Sequence, residues 1–189
     1  SRALVEQREA HLSFVALHDP ETNLANRRAM LESLTGQLDR KEGMGETAIV
    51  AVAIGIDRFP LLRGAIGYGS ANQAVRGLAA QFKACTGVEE VYHIATSVLG
   101  VVLCASAEVE AKQVCASVLG SLDAGVDLDG QRLELSIRVG VAVALVGACS
   151  AEQLLEQATL ALDQARLRRV RHITYGDAEI ADPKVQLAL

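Results

Sequence analysis

Aromatic residues are scarce: the 189-residue chain has no tryptophan, three tyrosines and three phenylalanines, although half its residues are hydrophobic. The core must therefore be built from Val, Leu, Ile and Ala. Cysteine is sparse and scattered. Cys85, Cys104, Cys115 and Cys149 form no C-x-x-C pair and accompany no histidine cluster, which excludes a zinc framework and a disulfide scaffold. They read as small buried hydrophobes of a reducing, cytoplasmic compartment. Long apolar runs are absent too. The longest, Ala48 to Ile54, falls far short of the ~20 residues that span a bilayer, so no membrane insertion is expected of this segment. The formal net charge of -5 leaves no basic footprint for nucleic acid or an anionic membrane. No charged-then-apolar leader opens the chain. It starts at Ser1 inside a helical pattern, as a piece of a longer polypeptide would.

Proline is equally rare, and each of the three marks a boundary. A helix is expected over Ser1 to Leu17 and stops at His18-Asp19-Pro20, because proline disfavours helical geometry in the residue before it. Asn26 is a candidate N-cap for a helix from Arg27 to about Leu38. Lys41 to Glu46 reads as a polar loop. Thr47 to Ile56 is a continuous apolar run of the kind that forms a strand buried on both faces. Pro60 cannot sit in a ladder but can open a helix at its first turn. Ala71 to Ala84 then has helical spacing.

Val88 to Ile94 and Val98 to Leu103 read as a hairpin joined across Ala95-Thr96-Ser97. Ala107 to Leu122 is helical in pattern. Leu133 to Leu145 reads as one long strand, paired through the Asp129-Gly130 turn with a short one near Val126-Asp127-Leu128. Ala151 to Leu167 is helical, His172 to Tyr175 a last strand, and Asp182-Pro183 begins a tail. This alternation predicts an α/β (α+β) sandwich around a mostly antiparallel five-stranded sheet flanked by helices. No glycine-rich strand-to-helix turn suggests a doubly wound nucleotide fold.

Three stretches in register resemble the GGDEF family of diguanylate cyclases. His18-Asp-Pro-Glu-Thr-Asn-Leu-Ala-Asn-Arg-Arg28 is similar to its opening signature, H-D-x-L-T-x-L-x-N-R-R, with Glu21 in place of Leu. Ile56-Asp-Arg-Phe-Pro-Leu-Leu-Arg-Gly-Ala-Ile-Gly67 resembles D-x-F-K-x-I-N-D-x-x-G. Leu135 to Ala142, followed by Ala151 to Arg171, resembles the closing S-I-G-I-A strand and the last helix. The resemblance implies a domain over residues 18–178, preceded by a signalling helix over 1–17. A linker over 179–189 resembles those that precede EAL phosphodiesterase domains.

The family joins two GTP molecules, one on each protomer of a dimer, and needs divalent metal on the triphosphate. Hard cations of that kind take oxygen ligands, chiefly carboxylates. Here the resemblance puts Gly55 where a metal-binding Asp belongs. It lays Ala95-Thr96-Ser97-Val98-Leu99 over G-G-D-E-F itself. The only acids between Asp57 and Glu108 are Glu89 and Glu90. Asp57 is the one carboxylate near the strand end, expected on the same side as Gly55, and a solvated aspartate is its simpler reading. Arg63 replaces a guanine-reading Asn, Asn72 stands for an Asp, and Pro60 removes a backbone N–H from the phosphate loop. Arg166 stands for a phosphate-neutralising Lys, so Arg63, Asn72 and Arg166 are the residual anion or nucleotide contacts. The family's product-inhibition motif R-x-x-D falls on Thr86 and Glu89, so that site is expected to be missing.

No catalytic residue and no metal ligand is therefore expected, and binding of magnesium and GTP is expected to be lost or weak. The basic run Arg166 to His172 lies at a helix C-terminus, where cations complement the macrodipole, and no aromatic platform accompanies it, which argues against RNA. His93 reads as a satisfied, partly buried histidine. The resemblance implies a non-catalytic module in bacterial cyclic di-GMP signalling. Its expected partners are an upstream sensor, a downstream EAL domain and a second copy in a homodimer. A GTP sensor that activates the EAL neighbour is the alternative, and an active cyclase the third.

Overall fold

The computed structural model describes residues 1–40, 47–107, 110–113, 116 and 125–176. Along the chain run α1 (Arg2–Leu17), β1 (Ala25–Asn26), α2 (Arg27–Leu38), β2 (Ala48–Ile56), α3 (Phe59–Ile66) and α4 (Tyr68–Thr86). There follow β3 (Tyr92–Ala95), β4 (Val98–Ala105), β5 (Gly125–Leu128), β6 (Gln131–Glu134), β7 (Ile137–Leu145), α5 (Ala151–Arg168) and β8 (His172–Thr174). The helix expected over Ala107–Leu122 lies largely outside the described residues. The loop over 41–46, Cys115 and the tail from Asp182 lie wholly outside them.

All nine residues of β2 are buried, as its unbroken apolar run demands, because helices cover both faces of the sheet. Val50, Val52, Ile54 and Ile56 face α4, in one core with Val75, Leu78 and Phe82. Ile49, Ala51 and Ala53 face the opposite way, in a core with Met30 and Leu34 of α2 and Leu154, Leu155 and Leu162 of α5. The sheet order is β1-β3-β4-β2-β7-β8, with parallel pairs only at its two edges. It has six strands, not five. The sixth, β1, is two residues long and pairs Ala25 and Asn26 with Tyr92 and His93, too short to leave a periodic trace.

Two other boundaries differ from expectation. The Leu133–Leu145 run is not one strand: β6 ends at Glu134 and pairs only with β5, while β7 begins at Ile137 inside the main sheet. Buried Leu135 hides that break by keeping the run apolar. The central hairpin is tighter than expected, with Ala95 in β3 and only Thr96-Ser97 in the turn.

Close packing fixes α5 against β7. A Cβ at Gly140 would fall on the Ala158 carbonyl oxygen and the Leu162 nitrogen, so only glycine lets the helix backbone approach this near. By contrast α1 buries no residue, and Leu4, Val5, Leu12, Phe14 and Val15 stay exposed. Its end is tied down by Asn26, whose Nδ2 donates to the Ala16 carbonyl at 2.9 Å while its Oδ1 caps α2 through Ala29 N–H at 3.1 Å.

Candidate functional site

The site sits where β2 leaves the sheet. Gly55 pairs with Val98 on one side and Arg138 on the other, on the sheet face that α5 covers. Arg166, in the last turn of α5, lays its guanidinium directly over Gly55. A Cβ at Gly55 would meet Nη2 of Arg166, with Cζ at 3.0 Å and Leu162 Cδ1 at 3.1 Å. Any side chain at position 55 must first displace that charge.

Asp57 lies one residue beyond β2 and is already partnered. Its Oδ2 is 2.9 Å from Arg138 Nε and accepts from Ser136 Oγ at 3.1 Å, while Arg138 Nη1 donates to the Val170 carbonyl at 2.7 Å. The side chains of Arg138 and Asp57 are 22% and 16% exposed, so this pair is far better shielded than a surface salt bridge. The Asp57 N–H donates to Ser136 O, and Ile56 N–H to Ser97 O, both at 2.8 Å, which pins the hairpin turn to the strand end. A cleft of about 650 Å³ opens here, lined by Asp57, Arg58, Ser97, Arg138, Arg166 and Arg169 among others.

Of the signature positions, Ala95 is exposed at the end of β3 and Thr96 and Ser97 form the turn. Val98 and Leu99 are buried in the cores on opposite faces of the sheet. Where the resemblance anticipates acids, the backbone presents a serine and a core valine. Among the described residues, no three His, Cys, Asp or Glu side chains converge to hold a metal. Among the described residues the cleft's single carboxylate, Asp57, is paired with an arginine, so these residues do not fit a magnesium ion, which takes carboxylate and water oxygens.

Arg63 and Asn72 do not join Arg166. They line an adjoining cleft of about 280 Å³, which shares Phe59 with the first, together with Asp19, Asn26, His93 and Thr96. Arg63 is occupied there, its guanidinium carbon 4.5 Å from the Tyr68 ring centroid and 5.7 Å from that of Phe59. His93 is the buried centre of this region. Its Nδ1 lies 3.1 Å from Thr22 Oγ1 and 3.4 Å from Asp19 Oδ2, and its Nε2 3.2 Å from the Thr96 carbonyl. The imidazole therefore ties the opening signature to the hairpin turn.

Burial opposes the charge on Asp19, but Thr22 N–H, His93, Glu21 N–H and the Thr22 hydroxyl together outweigh it and hold the carboxyl below its ordinary range. A carboxylate so depressed contributes stability above its unfolded pKa, and loses it as pH falls through the lower folded value. Asp19→Asn should accordingly melt earlier than the parent chain at pH 7. Thermal melts should show the gap closing as pH drops below about 4, the unperturbed Asp range.

The positions assigned to product inhibition lie elsewhere again. Thr86 Oγ1 donates to Phe82 O at 2.6 Å and accepts from Val88 N–H at 3.3 Å, finishing α4. Glu89 lines a cleft of about 640 Å³ with Glu32, Glu90, Tyr92 and Cys104, and among the described residues no arginine or lysine lines it.

A family model described as "Diguanylate cyclase, GGDEF domain" matches residues 16–171. The chain belongs to the GGDEF family. No curated protein matches it. Among solved structures, the GGDEF domain of TpbB (YfiN) from Pseudomonas aeruginosa is 22% identical with a TM-score of 0.73, covering 90% of this chain and 99% of that one. A sensory box/GGDEF family protein from Caulobacter crescentus is 24% identical with a TM-score of 0.68, covering 80% and 99%. The GGDEF domain of DgcB from Caulobacter crescentus, solved with c-di-GMP, is 18% identical with a TM-score of 0.69, covering 86% and 94%. These similarities establish the GGDEF fold, with its central sheet and flanking helices.

Two arginines of this GGDEF domain's cleft, Arg58 and Arg138, escape sequence reasoning, and Arg169 is read there only as part of a basic run at a helix C-terminus. They sit far apart in the chain, and only the pairing of Gly55 with Arg138 gathers them.

Proposed function

We propose that this GGDEF domain makes no cyclic di-GMP and serves cyclic di-GMP signalling as a regulatory or dimerisation module. One observation carries the reading: the Arg166 guanidinium covers Gly55, so a positive charge stands where the family's chemistry needs a metal-bound carboxylate. The buried Val98, and Asp57 paired with Arg138, support it from the two neighbouring positions. The test is incubation with GTP and magnesium followed by chromatography of the products. No cyclic di-GMP is expected above the no-enzyme control. Product formed by the parent chain and abolished in Asp57→Ala overturns the proposal.

In this reading α1 delivers orientation changes from an upstream sensor, and the domain hands them to a downstream EAL phosphodiesterase-like neighbour or to a second copy of itself, in the cytoplasm. The exposed apolar residues of α1 suit such a docking helix. The Caulobacter crescentus relative described as a sensory box/GGDEF protein supports the sensor link. A second reading, a nucleotide sensor without turnover that activates the EAL neighbour, is favoured by the concentration of arginine around the cleft.

A further inference from the structure

We infer that the cleft at the end of β2 binds a bare, multiply charged phosphate chain without divalent metal and without regard to any attached base. The inference deepens the nucleotide-sensor reading and rests on the domain's lack of a working metal site.

Among the described residues the lining holds four guanidinium groups against one carboxylate. That carboxylate already engages Arg138. Among the described residues the one salt bridge of Arg166 is to the exposed Asp163, at 3.6 Å. Arg58 and Arg169 have no salt bridge among the described residues, and both are exposed at the cleft. Such crowding of like charge is unfavourable in the empty protein and is relieved by a polyanion. Guanidinium forks also match phosphate geometry bidentately, as ammonium groups do not.

Backbone conformation points the same way. Arg58 and Arg169 both lie in the left-handed region, at φ 53° and 55°, where glycine or asparagine is the easier choice. Both positions lie on the lining of the one cleft. The N-terminus of α3 opens on the same cleft with no side-chain cap. Arg166 and Arg169 also complement the C-terminal end of α5, but that accounts for neither Arg58 nor Arg138, which belong to other elements.

Metal dependence follows from charge. A magnesium ion occupies the phosphate oxygens that the arginines would grip and lowers the chain's negative charge. It should therefore compete, the reverse of its role in a cyclase. Base recognition is not expected, because Arg63 stacks on Tyr68 and Phe59 in the adjoining smaller cleft.

Isothermal titration calorimetry on the full chain with sodium tripolyphosphate, ATP and GTP, each in EDTA and in excess magnesium, tests this. All three should bind in EDTA within a few-fold of one another, and magnesium should weaken each. Removing two charge-assisted contacts with Arg58→Ala and Arg169→Ala together should weaken binding about 100-fold, roughly tenfold for each contact. Both residues are exposed, so a melting temperature matching the parent's confirms that the variant is folded. Binding that needs magnesium, a GTP preference above about tenfold, or an affinity untouched by the double substitution would each sink the inference. Cyclic di-GMP in the separate product assay would instead refute the non-catalytic reading. Silence in both assays removes the phosphate site alone.

Discussion

Phe82→Ala is expected to cost the domain about 4 kcal/mol, within the range for emptying a buried aromatic site. Phe82 is 1% exposed on α4, in the core that includes Val50, Leu78 and Leu103. With only three phenylalanines and no tryptophan in the chain, few other side chains are bulky enough to close the void. The surrounding valines and alanines are short and, being β-branched or without χ1, have little freedom to swing in. For a domain of this size the loss corresponds to a fall in melting temperature of roughly 8–16 °C. Differential scanning calorimetry checks it, and a fall under about 3 °C would mean that α4 is not the main cover of that sheet face.

Gly140→Ala is expected to lose about 3 kcal/mol, near the top of the usual range for overpacking. The added methyl meets backbone, not the end of a mobile side chain: the Ala158 carbonyl oxygen, the Leu162 nitrogen and, at 2.8 Å, the Leu162 Cα. No rotamer change relieves that contact, so α5 must lift from β7 as a body. β7 lies between β2 and β8, and α5 carries Arg166, so the disturbance reaches the cleft as well. Urea unfolding with an unchanged slope and a lowered midpoint is the expected signature. A midpoint equal to the parent's would show that the helix can stand further off the sheet without penalty.

What the sequence disclosed and what it hid follow from the range of the interactions. β2 announced itself because burial on both faces leaves no polar residue in nine. α2 was bounded correctly because capping is local: Asn26 sits three residues before the N–H it accepts. The six-strand count was hidden because β1 is held by Tyr92 and His93, far along the chain, and not by any pattern of its own. Likewise the break between β6 and β7 is a change of partner within an apolar run.

At the candidate site, Gly55, Asp57 and Arg166 were visible as departures from a known pattern, and the structure brings all three to one place. Arg63 and Asn72 proved to belong to a different cleft. Arg138 became legible only through strand register and Arg58 only through the turn that places it beside Arg138, while Arg169, read in the sequence as a helix-end cation, joins them at the cleft.

The Asn26 side chain has a mechanical consequence. One amide grips the last turn of α1 with its nitrogen and the first turn of α2 with its oxygen. Torque applied to the exposed helix therefore arrives at α2 through two hydrogen bonds, and α2 bears on the same buried layer as α5. The same asparagine thus belongs at once to the entrance of the domain and to its first packed helix.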